Sequence, residues 1–160
     1  GASRGVDSKC SRRIGLWCQR RHDVAGTGAP MVVLYVAALY ADNEENKKIA
    51  AELEPSGFVN VTRWMSREPL AKPYSKDSVS ESLQENLEDM RNADAYLILP
   101  KKLETARGCY VEFGYILAHV ESHPEKPIYL VSSEDPAFHW FHPSVTIFPS
   151  VDALTAYLKD

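Results

Sequence analysis

Residues 32–37 read Val-Val-Leu-Tyr-Val-Ala. A short run that is continuously apolar and rich in β-branched residues suits a strand buried on both faces, as in parallel sheets. Such a strand needs cover above and below it, and the following sequence supplies the cover. Ala38 to Asn43 reads as a loop, with Asp42 or Asn43 placed to cap a helix over Glu44–Glu54. Ile49, Ala50 and Leu53 form one stripe of that helix, and Pro55-Ser-Gly57 stops it. A second strand is expected over Phe58–Trp64, then a long polar connection marked by Pro69 and Pro73. Val79–Asn92 follows as a helix, with Leu83, Leu87 and Met90 on one side. Ala95-Tyr-Leu-Ile-Leu99 is the third strand, Lys101–Gly108 a loop and Cys109–Val120 a helix. Ile128–Val131 and Val145–Phe148 complete the strands, and Val151–Leu158 closes as a helix.

Five apolar strands interleaved with helices predict an α/β fold, a doubly wound and mostly parallel sheet in a three-layer sandwich. Ligands of such sheets bind at the carboxyl ends of the strands, near the point where strand order reverses. The loops at 38–43, 66–78 and 100–108 are therefore where function is expected.

The 160 residues and 17.9 kDa leave room for one ordinary domain. Hydrophobic residues at 44% and charged residues at 25% are the proportions of a soluble globular protein. No stretch of about 18 apolar residues is present, so no membrane partner is expected. Cys10, Cys18 and Cys109 make no Cys-x-x-Cys pair, which argues for a reducing, cytoplasmic setting and against a structural zinc site. Residues 1–30 carry a net charge of +4 and the rest −8. An acidic body is a poor match for a phosphate backbone, so nucleic acid is not an expected partner. Residues 1–30 have the Arg-rich composition of an organelle transit peptide, but the preferred reading is a disordered leader before a domain over 31–160.

The sharpest local feature is Arg107-Gly-Cys-Tyr-Val-Glu-Phe-Gly-Tyr-Ile-Leu-Ala118. Gly108 would permit a tight turn into the helix, and Glu112 would then sit in its first turn or so, in apolar company. A carboxylate there is solvated at the strand-end crevice, buried with partners, or compensating the helix dipole. Tyr35 reads as a core aromatic whose hydroxyl needs a partner that the crevice could supply. Asn86 and Asp89 lie one helical turn apart, either facing the same edge or decorating a solvated face. Asp94 is most simply a turn residue, and Arg107 fits either a clamp on a phosphate or carboxylate or a loop charge.

Rival signatures are absent from the sequence. It has no Gly-x-Gly-x-x-Gly after strand one, no Walker loop and no Gly-x-Ser-x-Gly elbow. A phospho-acceptor receiver would want acids where Ala38-Leu39 and Pro100-Lys101 stand. His119 and His123 are four apart, but Pro124 ends their helix, and no metal is expected.

These residues resemble the nucleoside 2-deoxyribosyltransferase family, in particular its phage-like and uncharacterised branch. The likeness rests on Leu34–Ala37, Gly57–Trp64, Asn86–Asp94, Arg107–Tyr115 and Ser133–His139, in that order, with 18 residues from Asp94 to Glu112. It implies a flavodoxin-like fold, no cofactor, a nucleoside or nucleotide substrate and a homo-oligomer whose sites are completed by a neighbouring subunit. It implies cleavage of the N-glycosidic bond of a 2′-deoxynucleoside or its 5′-monophosphate, with transfer to another base or to water. Glu112 takes the position of the family's nucleophile and Tyr35 that of the tyrosine that positions it. Ala37, Asn86, Arg107 and Gly108 fall on the substrate side. The chain departs from the family at Asn86, where the family has an Asp acting as general acid or sugar-hydroxyl ligand. An amide can hold a hydroxyl but cannot protonate a departing base, so Asp89 becomes the expected acid. A second departure is Ala106, where bacterial transferases carry a carboxylate that contacts the base. Two other expectations stand beside this one: an NAD glycohydrolase resembling TIR domains, and a catalytically silent nucleotide sensor, which Asn86 favours.

Overall fold

The structure, a computed structural model, describes residues 31–102, 106–135 and 138–159. The leader expected over 1–30 lies outside the described residues, as does part of the Ser133–His139 segment.

Strand β1 (Val32–Ala38) is followed by α1 (Asn43–Glu52), β2 (Phe58–Asn60), α2 (Lys76–Asn92) and β3 (Ala95–Leu99). Then come α3 (Arg107–Ser122), β4 (Ile128–Val131), β5 (Val145–Phe148) and α4 (Val151–Lys159). The five strands form one sheet in the order β2-β1-β3-β4-β5, every neighbour parallel. This is the flavodoxin-like order, and its switch point lies between β1 and β3. The strands at the centre are the most apolar: β3 and the middle of β1 (Leu34–Ala37) are wholly buried.

Side chains assign the layers. Tyr35 and Tyr96, paired in register across β1 and β3, point to one face, where Tyr35 meets α3 and Tyr96 bonds Met90 O of α2 at 2.8 Å. Tyr129 and Phe148 point to the other, where the Phe148 ring packs 5.1 Å from Tyr157 of α4.

The sequence expectations hold for the sheet and shift at the element ends. The second strand is less than half the expected length, Phe58–Asn60 rather than Phe58–Trp64. Thr62 Oγ1 accepts from Val36 N at 2.8 Å, so a side chain replaces the next backbone rung and Arg63–Ser66 winds into a 3₁₀ turn. Helix α2 starts at Lys76 rather than Val79, because Ser75 and Ser78 cap it reciprocally, each side chain accepting from the other's backbone N–H at 3.1 Å. Leu83 does not share the packed stripe; it is 54% exposed, while Met90 is buried. Neither Asp42 nor Asn43 caps α1 through its side chain. Asn43 Nδ2 instead donates to Met65 O at 2.6 Å, and Asp42 pairs with Lys101 at 2.9 Å. Asp94 is more than a turn residue: it is buried, its N–H donates to Val33 O at 2.7 Å and its Oδ2 accepts from Val33 N at 3.1 Å. It thereby fixes the start of β3 against β1.

Candidate active site

Helix α3 begins two residues earlier than its sequence suggests. Cys109, Phe113, Ile116 and Val120 recur at helical spacing and are buried, which sets the inner face. Gly108 is consequently a first-turn helical residue rather than the hinge of a turn, and a Cβ added there would meet nothing within 4 Å. Glu112 falls in the second turn, too far along for the dipole to explain its placement. It sits on the flank of the buried face, half-buried above β1.

Its partner is Tyr35. The phenol Oη donates to Glu112 Oε1 at 2.7 Å. Burial disfavours the charged carboxylate and raises the Glu112 pKa to about 7, while the Tyr35 hydrogen bond opposes the rise. The same burial, with the adjacent carboxylate, pushes the Tyr35 phenol far above its ordinary value, so it stays a donor. The Cys109 thiol, one turn before Glu112, is likewise pushed up by burial to about 12 and stays neutral.

Around this pair the sheet end is closed by the Arg63–Ser66 turn. Trp64 is buried, its indole N–H donates to Val36 O at 3.0 Å, and it lies beside the Tyr35 hydroxyl. The turn is pinned by Asp89, whose Oδ2 accepts from Arg63 N at 2.9 Å and whose Oδ1 accepts from Arg63 Nε at 2.7 Å. Arg63 also bonds Glu88 at 2.6 Å and Glu85 O at 3.2 Å, and Arg67 pairs with Glu85. Asp89 is close enough to Tyr35 for its charge to raise the phenol further.

The structure thus brings Tyr35, Asp89 and Glu112 to one edge of the sheet, with Ala37 buried on β1 two residues beyond Tyr35. Asn86 is one turn before Asp89 on α2, and its side-chain oxygen is buried with no hydrogen-bond partner. Arg107 is not gathered in: it lies exposed at the start of α3. Thr62, Arg63 and Trp64 were missed as site residues, because the pattern Phe-Val-Asn-Val-Thr-Arg-Trp reads as one strand and hides the turn. The signal against a strand was the polar pair Thr62-Arg63 interrupting the apolar positions.

Among the described residues no group of three His, Cys, Asp or Glu could hold a metal. His119 and His123 stack at 4.2 Å, and His119 Nε2 meets buried Lys126 Nζ at 3.1 Å, a structural contact rather than a ligand set. Among the described residues no helix is long and apolar enough to cross a membrane.

The fold has counterparts among solved structures. The chain has the fold of a deoxyribosyltransferase. It superposes on a 2-deoxyribosyltransferase from Bacillus psychrosaccharolyticus with a TM-score of 0.60 at 17% identity, over 79% of this chain and 95% of that one. A CMP N-glycosidase from Clostridium botulinum matches with a TM-score of 0.51 at 15% identity, over 79% of this chain and 98% of that one. No protein-family model and no curated protein sequence matches the chain.

Proposed function

We propose that this chain cleaves the N-glycosidic bond of a 2′-deoxynucleoside or its 5′-monophosphate, with Glu112 as nucleophile. The observation that carries the reading is the Tyr35–Glu112 pair at the switch point, a half-buried carboxyl group held by one donor. One solved neighbour is named for deoxyribosyl transfer and the other for a nucleotide N-glycosidase, and both chemistries begin with the same bond. In the first step a carboxylate oxygen of Glu112 bonds to C1′ while the C1′–N bond breaks, and the base departs with the bonding pair. The glycosyl ester is then opened by another base or by water, which returns Glu112 as a carboxylate.

Tyr35 orients the carboxylate and keeps part of it ionised near neutral pH. Asn86 supplies an acceptor for a sugar hydroxyl: its orphaned side-chain oxygen is the kind of buried group that a ligand donor satisfies. Asp89, expected to protonate the departing base, is given other work by the geometry. Both its oxygens are engaged by Arg63, so a proton donor here would first have to leave the ion pair. We assign it to positioning the turn that carries Trp64, and the proton of the departing base to water. Arg107 and Gly108 have no place in this scheme.

The test is incubation with deoxynucleosides, deoxynucleotides and CMP, with and without a second base, followed by chromatography of the released base. A 2-fluorinated nucleoside analogue should leave a mass increment on the peptide containing Glu112, and Glu112→Ala should abolish both base release and the adduct while circular dichroism stays unchanged. Nucleotide binding with neither release nor adduct would replace this reading by that of a silent sensor.

A further inference from the structure

The carboxyl edge of the sheet has a second opening, on the face away from Glu112. Leu97 pairs with Tyr129 across β3 and β4, so Leu99 and Val131, two residues on, face the α4 side with them. A cavity of about 250 Å³ opens there, lined by Leu99 and Val131 from the strands, Ile49 of α1 and Val151 of α4. It has no lining residue in common with the Tyr35–Glu112 site. Asp42, Glu45, Asn46 and Ile49 fall at i, i+3, i+4 and i+7 along the start of α1, so one stripe presents acid, amide and apolar groups together.

Asn46 is the informative residue. It lines the cavity and is only 4% exposed. Its Nδ2 donates to Leu39 O at 3.0 Å, while its Oδ1 has no hydrogen-bond partner among the described residues. A buried amide ordinarily has both ends satisfied. The unmet oxygen on this wall is what a donor entering the cavity would find.

Lys101 indicates the kind of donor. Its ammonium lines the same cavity and donates to Asp42 at 2.9 Å and to Glu45 at 3.0 Å. Its backbone sits at φ 48°, in the left-handed region, which no other described non-glycine residue enters. Such a conformation persists where the surroundings demand it, and here the two carboxylates do so. The chain thus seats one of its own cations on the pair. The hold is weak, because the Lys101 and Glu45 side chains are 55% and 60% exposed. Two carboxylates against one ammonium leave this wall net negative, and Asp152 in the first turn of α4 adds to that sign. An anion is therefore disfavoured.

We propose that this cavity binds a small organic ammonium ion whose apolar body is about one ring in size. The ligand's ammonium replaces Lys101 Nζ beside Asp42 and Glu45 and donates to Asn46 Oδ1, while its body lies on Leu99 and Val131. The volume is below the roughly 300–1,000 Å³ of ordinary small-molecule pockets, which sets the limit of one ring. The inference does not depend on the chemistry assigned to Glu112.

Three probes with one body and different charge test it: tyramine, 4-ethylphenol and 4-hydroxyphenylacetate. Each is titrated at neutral pH into the nitrogen-15-labelled full chain and followed by amide chemical shifts. Tyramine should bind with a dissociation constant on the order of 1 mM and move the signals of Leu99, Val131 and Ser132. The uncharged phenol should bind roughly threefold more weakly, and the acid more weakly still. Glu45→Gln should weaken tyramine by roughly threefold, and Lys101→Met, which vacates the carboxylates, should tighten it by roughly that factor. Should Lys101→Met fail to fold, Lys101→Gln removes the same charge and makes the same test. Ser133→Trp, at an exposed position lining the cavity, should block binding. A tyramine titration that moves none of these signals overturns the proposal, as does one whose shifts gather at Tyr35 and Glu112. Equal binding of the acid overturns it too. So does weaker tyramine binding on loss of the Lys101 charge, since the lysine would then be part of the seat and not its stand-in occupant.

Discussion

Glu112 is caught between two opposed effects, burial that favours its acid form and a phenol that favours its carboxylate. The nucleophile proposed here has to be ionised, so under that proposal the balance sets the pH at which the chain can work. Tyr35→Phe removes the donor and leaves the ring. The Glu112 pKa should rise above its value of about 7, moving the acid limb of the pH–rate profile up by about one to two units. A limb that stays where it was would mean that the phenol is structural and does not govern the carboxylate. Asn86 makes a complementary case, because its side-chain oxygen is buried without a partner. An unmet buried acceptor costs about 1–3 kcal/mol, so Asn86→Ala should leave the melting temperature equal or higher. It should also lower kcat/KM by about tenfold if that oxygen receives a sugar hydroxyl. A 2′,3′-dideoxynucleoside separates the alternatives, since the variant and the wild type should handle it alike if the 3′-hydroxyl is the missing donor. At this scale the sequence was informative where the chemistry was unusual for its surroundings. A lone Glu in an apolar helix and a Tyr within a buried strand both stand out. The engagement of Asp89 by Arg63 did not, because it joins positions 26 residues apart and neither residue is unusual locally.

Elements set that geometry through one joint, the Arg63–Ser66 turn against α2. The sequence carries the strand pattern one position past Asn60, to Val61, before Thr62-Arg63 breaks it. What ends the strand is a tertiary substitution, the Thr62 hydroxyl taking the Val36 N–H, and no periodicity records it. The turn then depends on Asp89, which is buried and serves both the backbone and the side chain of Arg63. Asp89→Ala strands a backbone N–H as well as a guanidinium, whereas Arg63→Ala keeps the backbone bond to the carboxylate. Asp89→Ala should therefore lower the melting temperature more than Arg63→Ala does. It should also cost activity through movement of Trp64, visible as a change in indole fluorescence. Equal effects of the two substitutions would show that the side-chain pair, and not the backbone anchor, holds the turn. If Asp89→Asn, which keeps one acceptor oxygen, lost turnover with fluorescence and stability unchanged, the proton-donor role would have to be restored.

The whole molecule was legible in the sequence at the level of its sheet, because five buried strands leave a long apolar record and parallel connections permit few arrangements. Element ends were less legible, since caps such as Ser75 with Ser78 carry little hydrophobic signal. One consequence of the site reaches the stability of the entire fold. Unfolded, Glu112 titrates near its ordinary 4.5; folded, near 7. Below about pH 4.5 both states hold the proton and the group is neutral to stability. Between those values the native state keeps a proton that the unfolded chain has released, so stability falls as pH rises, and the loss is complete above the folded pKa. The shift corresponds to at most about 3 kcal/mol. Burial acts on His119 in the opposite sense: its pKa is lowered, so its contribution is missing at low pH and recovered as pH rises through the unfolded value. A bare pH–stability curve mixes the two, but a difference curve against Glu112→Gln does not. The amide keeps a carbonyl for the Tyr35 hydroxyl and removes only the ionisation. Chemical denaturation of both proteins from pH 4 to pH 8.5 should give nearly parallel curves at the acid end. They should diverge above about pH 5, with the variant the more stable by up to about 3 kcal/mol at pH 8. A constant difference across the range would mean that Glu112 titrates alike in both states, and the poised carboxylate on which the nucleophile assignment relies would be lost.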